Sequence, residues 1–349
     1  MKYFKDHHVI RRLNYFFLAA MLFLLSCCSA ITEIEKESDS ETIVKKLGQL
    51  HVKGNQIVDE NNNVAALHGM SLFWSQWGGD FYNEECINWL YKDWKCTIVR
   101  AAMGVESGGY LTNPETELKK IYTVIDACVD NGIYVIIDWH DHNAQEHLEE
   151  AKSFFKIISE KYGDKPNVIY EIYNEPLQVS WINIIKPYCE EVIKVIREND
   201  PDNLIIVGTP TWSQDVDVAA KDPISDSNTA YALHFYTSTH KQWLRDKSVS
   251  AMNSGAAIFV SEFGTSEANG DGAIDSTEMN LWFNFIKQNN LSTCDWSVFD
   301  KEETSAALKP GSNPEGGWGE SDLTESGKIN RDFIRSLNQD LFKSIGQGY

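Results

Sequence analysis

Two glutamates close apolar runs in this chain. Val168-Ile169-Tyr170-Glu171-Ile172-Tyr173 runs into Asn174-Glu175-Pro176, and Ala257 to Ser261 runs into Glu262-Phe263-Gly264. Short runs rich in Val, Ile and Tyr, bounded by Pro or Gly, read as buried strands. Pro176 has no N–H for a sheet ladder, so the first of these strands stops there. Carboxylates at two strand mouths can work as a pair. One gives and takes a proton, and the other attacks an acetal carbon. Retaining cleavage of a glycosidic bond needs such a pair about 5–5.5 Å apart. Their surroundings must push their pKa values apart.

Other polar residues stand at the ends of similar runs: Arg100, Asp138-Trp139-His140, His234-Phe235-Tyr236 and Asp295-Trp296. An arginine beside the attacking carboxylate would hold it ionised. Tyr236 can donate a hydrogen bond to it. His234 can sit beside the acid and tune its proton. Asn174 is placed for a sugar 2-hydroxyl, a contact that strengthens in the transition state. Glu171, mid-strand, reads as a buried structural group, as does Asp138. His68 reads as a barrel-lining residue. His142 and His147 follow the third strand and read as solvated.

Such side chains converge only if strands hold them on one rim. The candidate strands are Ala65–Met70, Thr97–Met103, Ile133–Trp139, Val168–Tyr173, Leu204–Gly208, Ala230–Phe235, Ala257–Glu262 and Ser292–Trp296. Amphipathic segments lie between them: Ile121–Asn131, Glu149–Tyr162, Trp181–Asn199 and Thr277–Asn289, with Lys328–Leu341 as the last helix. Eight strands alternating with helices imply a (β/α)8 TIM barrel, whose chemistry collects at the C-terminal strand ends. Gln49–Leu67 reads as a short hairpin at the base. The rival, an open doubly wound sheet, lacks a G-x-G-x-x-G after the first strand.

The 349 residues carry a net charge of −20. That charge disfavours nucleic acid and anionic membrane surfaces as partners and fits a neutral substrate. Eleven Trp and fourteen Tyr supply flat faces that serve either a core or sugar stacking. Residues 1–27 read as a signal peptide: a basic start, an apolar stretch from Phe16 to Leu25, then Leu24-Leu25-Ser26-Cys27. This string resembles a lipoprotein signal in which Cys27 is lipidated; plain secretion is the alternative. Residues 28–47 read as an acidic tether, and 48–345 as the catalytic domain. Cys86, Cys96, Cys128, Cys189 and Cys294 lie in apolar contexts and read as small buried hydrophobes, with a single bridge left open. No cofactor or metal is implied, and a monomer is expected.

The strings WKCTIVRAAM (Trp94 to Met103), GIYVIIDWH (Gly132 to His140), VGTPTWSQDV (Val207 to Val216), ALHFY (Ala232 to Tyr236), GAAIFVSEFG (Gly255 to Gly264) and KEETSAAL (Lys301 to Leu308), with Asn174-Glu175-Pro176, resemble glycoside hydrolase family 5. The likeness is to its bacterial endo-β-1,4-glucanases and covers roughly residues 49–340. It implies Glu175 as acid/base and Glu262 as nucleophile, with Arg100, His140, Asn174, His234 and Tyr236 around them. It implies Trp296 as a platform near the cleavage point. Trp77, Lys301 and Glu303 would bind sugar on the non-reducing side, and Trp212 on the leaving-group side. The implied substrate is a β-glucan polysaccharide or oligosaccharide. Phe73 stands where those relatives carry a His, and Gly104-Val105 where they carry an aromatic. The loop from Asp141 to Glu146 is shorter than theirs. These positions border the non-reducing-side subsites and bear on sugar preference.

A mannanase or a mixed-linkage glucanase would use the same centre. Two further readings are set against these. His140-Asp141-His142 is an H-x-H pattern used by metal-dependent hydrolases, though at a different strand. A non-catalytic glycan-binding lipoprotein would have lost a glutamate or Arg100, and all three residues are present.

Overall fold

The computed structural model describes residues 41–347. The expected signal peptide with Cys27, and tether residues 28–40, lie outside them. Glu41 onward is described, and the expected tether ends earlier than residue 47. Ile43–Leu47 form a helix whose N-cap, Thr42, accepts from Lys45 N. Ile43 and Val44 are buried, and Val44 N bonds Gly132 O at 2.9 Å. Burial of these apolar side chains takes the segment out of solvent.

Two short antiparallel strands follow, β1 (His51–Lys53) and β2 (Gln56–Val58). Eight parallel strands come next: β3 (His68–Leu72), β4 (Ile98–Gly104), β5 (Tyr134–His140), β6 (Val168–Glu171), β7 (Ile205–Val207), β8 (Thr229–Tyr236), β9 (Ile258–Gly264) and β10 (Ser292–Val298). β10 pairs with β3 and closes the barrel. The β1–β2 hairpin sits at the base, as expected. Val52 N bonds Asn228 Oδ1, just before β8, and Asn55 Nδ2 bonds Met252 O, ahead of β9.

Strand limits differ where other partners take the backbone. Ala65 N bonds Ile57 O and so joins the hairpin, leaving β3 to begin at His68. β6 ends at Glu171, not Tyr173. Asn174 N and Glu175 N turn to Trp139 O and Asp141 O, at 3.3 and 3.4 Å. Those bonds keep Asn174 and Glu175 against the end of β5, the strand β6 already pairs with. The helix expected over Ile121–Asn131 starts at Pro114, where a proline at the first turn and Glu115 and Glu117 favour initiation. Trp181–Ile185 form a π-helical turn ahead of the helix Lys186–Arg197. The last helix is longer than expected, Glu325–Ser344, capped by Thr324.

Every β4, β5 and β6 residue is buried. Helices cover the outer face, as parallel strands require. Trp282, on the helix Ser276–Asn289, stacks on Phe235 of β8 at 3.7 Å and donates Nε1 to His240 O at 2.7 Å. The outer core thus reaches up to the rim. Cys86, Cys96, Cys128, Cys189 and Cys294 are buried free thiols, as expected. Burial raises the pKa of each, which keeps them unreactive. His68 is buried against Thr293 Oγ1 at 2.9 Å, and burial lowers it to about 3.

Candidate active site

Strand register brings the chemistry together. Ser71 pairs beside Arg100, Asp138 beside Glu171, and His234 beside Glu262. Side chains two apart on a strand share a face, so Asp138 and His140 both point to the barrel axis and its mouth.

Arg100 is fully buried. Its Nε donates to Glu171 Oε2 at 2.6 Å, Nη1 to Glu262 Oε2 at 3.0 Å and Nη2 to Asn174 Oδ1 at 2.7 Å. Nη2 also lies 2.9 Å from Asp138 Oδ2. Glu171 and Asp138 are therefore structural, as expected, and their structural task is to aim Arg100. Asn174 keeps its Nδ2 without a partner in the protein, a buried donor facing the site. His140 Nδ1 lies 2.6 Å from Asp138 Oδ2. Its ring stacks on Trp296 at 5.3 Å and meets Trp74 edge-on at 4.0 Å. Burial and the Arg100 charge lower the His140 pKa, so the ring is neutral.

Glu262 receives Tyr236 Oη at 2.9 Å on its second oxygen. Glu175 is held by two histidines, His234 Nδ1 to Oε1 at 3.0 Å and His142 Nε2 to Oε2 at 3.1 Å. A carboxylate oxygen of Glu175 and one of Glu262 lie within 4.8 Å of each other. The two line a cavity of about 360 Å³ with Trp212, Gln214, His234 and Tyr236.

The expected platforms differ in exposure. Trp77 is 55% exposed and Trp212 39%, whereas Trp296 is buried at the mouth. Thr211, Trp212 and Ser213 all have φ between 54° and 60°. Left-handed backbone in such residues persists only when neighbours enforce it. Here Trp212 N bonds Pro176 O at 2.8 Å and Ser213 Oγ donates to Asn174 O at 2.8 Å. The turn that presents Trp212 is clamped to the carbonyls on either side of Glu175. Lys301 and Glu303 form an ion pair beside a larger hollow of about 670 Å³. Lys301 Nζ lies 5.8 Å over the Phe73 ring. Phe73 is largely covered, stacked on Phe299 at 4.4 Å and tilted against Trp296 at 5.4 Å. It props the aromatic wall.

Two histidines expected in solvent have partners instead. His142 is not simply solvated, because it binds Glu175. His147 Nδ1 lies 2.7 Å from Asp141 Oδ2, which holds the loop after β5. The H-x-H pair does not converge either. His140 faces Asp138 and His142 faces Glu175. Neither belongs to the carboxylate–histidine clusters of ligand-like spacing among the described residues.

Residues 58–302 match the family model described as Cellulase (glycosyl hydrolase family 5). The chain belongs to that family. Endoglucanase Z of Dickeya dadantii is 50% identical over 291 residues, which is 82% of this chain. The chain spans 66% of that relative, just under two thirds of its length. A structure from Cytophaga hutchinsonii is 51% identical, with a TM-score of 0.86 over 87% of this chain and all of that one. The catalytic domain of a Thermobifida fusca endoglucanase, solved as a variant with cellotetraose, is 35% identical with a TM-score of 0.81. It matches 84% of this chain and 100% of its own.

Family 5 strings located the two glutamates, Arg100 and their neighbours, but not Trp74, Ser261, His240 or the role of His142. His142 carried a legible signal: Asp138, His140 and His142 continue one period-two face past the strand end. His240 Nδ1 accepts from Tyr236 N at 2.8 Å and so fixes the tyrosine's backbone.

The charges of this site are shared. Burial pushes Glu175 up, but hydrogen bonds from His142 and His234 outweigh it and bring its pKa down to about 2. His234 is raised to about 9; burial opposes this, and Glu171 and Glu175 overcome it. Burial and the Glu175 charge push Glu262 up against the pull of His234, Arg100 and Tyr236. Two carboxylates this close titrate as a unit.

A raised histidine stabilises the fold fully below its unfolded value of 6.5, and that stability is lost as pH rises through about 9. The lowered Glu175 contributes above its unfolded value of 4.5, and this is lost as pH falls through about 2. The Tm difference between wild type and His234→Gln is therefore expected to be widest between pH 4.5 and 6.5 and to shrink toward pH 9. A difference that widens with pH would contradict the pairing.

Gly264 has a mechanical task. A Cβ there would lie 2.5 Å from the Tyr236 ring. Gly264→Ala is expected to push Tyr236 off Glu262. A hydrogen bond to a charged group is worth about 1.5–3 kcal/mol, so turnover should fall roughly 10- to 100-fold. Tyr236→Phe should show the same loss, and full activity in that variant would separate the two.

Proposed function

We propose that this chain is a retaining endo-β-1,4-glucanase that cleaves cellulose or related β-glucans by double displacement. The observation that carries the proposal is the carboxylate pair: Glu175 and Glu262 oxygens within 4.8 Å, with Arg100 and Tyr236 on one and two histidines on the other. An inverting enzyme needs about 6.5–9.5 Å, to leave room for water between its carboxyls. Glu262 attacks the anomeric carbon. Glu175 protonates the leaving oxygen, then takes a proton from the water that releases the sugar. Asn174 Nδ2 is the donor for the 2-hydroxyl. Trp212 stacks on the leaving-group side, and Trp77, Lys301 and Glu303 bind the chain on the other. The cellotetraose bound by the Thermobifida fusca relative supports an oligoglucan substrate.

A reducing-sugar assay on carboxymethyl cellulose, lichenan and mannan tests the substrate. Release from the two glucans is expected; release from mannan alone would sink the glucanase reading. NMR of the first product should show the β-anomer before mutarotation. The string Leu24-Leu25-Ser26-Cys27 supports export with a lipid anchor on Cys27. Mass spectrometry of the mature N-terminus tests this, and an unmodified Cys27 would count against it.

A further inference from the structure

The two histidines on Glu175 differ in where they lead. His234 is buried, and its other nitrogen lies 2.9 Å from Ser261 Oγ. That hydroxyl donates to Glu171 Oε1 at 2.6 Å, so this side runs only into the barrel. His142 closes the other oxygen, and its side chain is 36% exposed. Its ring stands edge-on to Trp74 at 5.7 Å, and its carbonyl accepts from Tyr173 Oη at 3.1 Å. The loop is therefore pinned at His142, with one face toward Glu175 and one toward solvent.

We propose that His142 holds the catalytic proton in the free protein and passes it to Glu175 when a glucan chain fills the cleft. This rests on the acid/base role given to Glu175 above. The Nε2–H bond breaks and an Oε2–H bond forms, turning an imidazolium and a carboxylate into a neutral imidazole and a carboxylic acid. Glu175 then gives that proton to the leaving oxygen as Glu262 bonds to the anomeric carbon. In the second step water bonds to that carbon, its proton goes to Glu175, and the Glu262 ester bond breaks. Product release returns the proton to His142. No charge is gained or lost over the cycle.

The surrounding charges suit this exchange. Burial disfavours the His142 cation, and Glu175, Glu262 and Asp141 together favour it, with a net rise. His140, two residues earlier, is neutral and offers no repelling charge. The transfer has a second effect. Neutralising Glu175 removes a charge that raises Glu262, and leaves Arg100 and Tyr236 to hold the nucleophile ionised. Filling the cleft with sugar excludes water, which favours the neutral pair over the ionic one. His142 is thus a positioning residue that acts through Glu175.

The test compares wild type, His142→Gln and Glu175→Ala on phenyl and dinitrophenyl β-cellobiosides, with a pH profile for each. Dinitrophenolate leaves without a proton, and phenolate needs one. His142→Gln is expected to lower kcat/KM on the phenyl substrate at least about tenfold and to leave the dinitrophenyl value within about twofold. Its alkaline limb should move to lower pH by about one unit or more. His142→Ala should recover phenyl activity with added imidazole. Unchanged activity and pH profile in His142→Gln, or equal losses on both leaving groups, would overturn the proposal. Glu175→Ala separates the two layers. If it lacks the leaving-group dependence, the acid/base reading fails. If it shows that dependence and His142→Gln does not, only the His142 proposal fails.

Discussion

Glu262→Ala is expected to lose turnover of β-glucan by roughly 10⁴-fold or more, the scale seen when a nucleophile is removed. Glu175→Ala should lose roughly 10²–10⁴-fold, the range for a general acid–base group. Both variants should still bind oligosaccharide, because the aromatic platforms are untouched. The two losses differ in kind. Azide added to Glu175→Ala attacks the glycosyl-enzyme and yields a β-glycosyl azide. Azide added to Glu262→Ala fills the space of the lost carboxylate and yields the α-azide from an activated donor. The same anomer from both variants, or full turnover in either, would refute the roles. The geometry behind this is asymmetric. Glu262 meets Arg100 and Tyr236 at 3.0 and 2.9 Å, a cradle for an anion. Glu175 meets two titratable histidines, a setting for proton exchange.

Arg100→Met should damage both fold and chemistry. Arg100 is the shared counter-charge for Glu171, Asp138 and Glu262, all buried. Removing one partner of a buried ion pair costs about 3–5 kcal/mol, because a charge is left uncompensated. Here three carboxylates lose it. For a domain of marginal stability, a loss on this scale is a large share of the total. The expected result is a melting temperature lower by several degrees. The Glu262 pKa should rise further, since Arg100 is one of the groups holding it down. The acid limb of kcat/KM then moves to higher pH, because more of the nucleophile is protonated at any given pH. Denaturant unfolding and the pH profile check both. A variant with wild-type stability and an unmoved acid limb would show that Arg100 is not the clamp.

The barrel was legible because its strands are dense Val, Ile and Tyr runs between Gly, Pro and polar turns. Glu175 and Glu262 were legible because a carboxylate ending such a run is costly unless it has a use. Apart from Ser261 on β9, what escaped lay beyond the strands. His142 stands in the loop after β5, and the backbone bonds of Asn174 and Glu175 to the end of β5 bring the carboxylate to it. The left-handed turn at Thr211–Ser213 could not be read, since those residue types ordinarily avoid positive φ. It exists because Pro176 and Asn174 carbonyls impose it. The early end of the tether was readable: Thr42 ahead of Ile43-Val44 is an N-cap before apolar residues. Its acidic, Ser-rich neighbours masked it. Phe73, expected at the non-reducing-side subsites, packs against Trp296 and Trp77.

Double displacement requires a covalent sugar on Glu262. Incubation with dinitrophenyl 2-deoxy-2-fluoro-β-cellobioside slows the second step and traps the intermediate. Mass spectrometry should then show one added fluorocellobiosyl group, on the peptide that carries Glu262. A label on the Glu175 peptide, or an enzyme that turns over without any trapped adduct, would rule out Glu262 as the nucleophile.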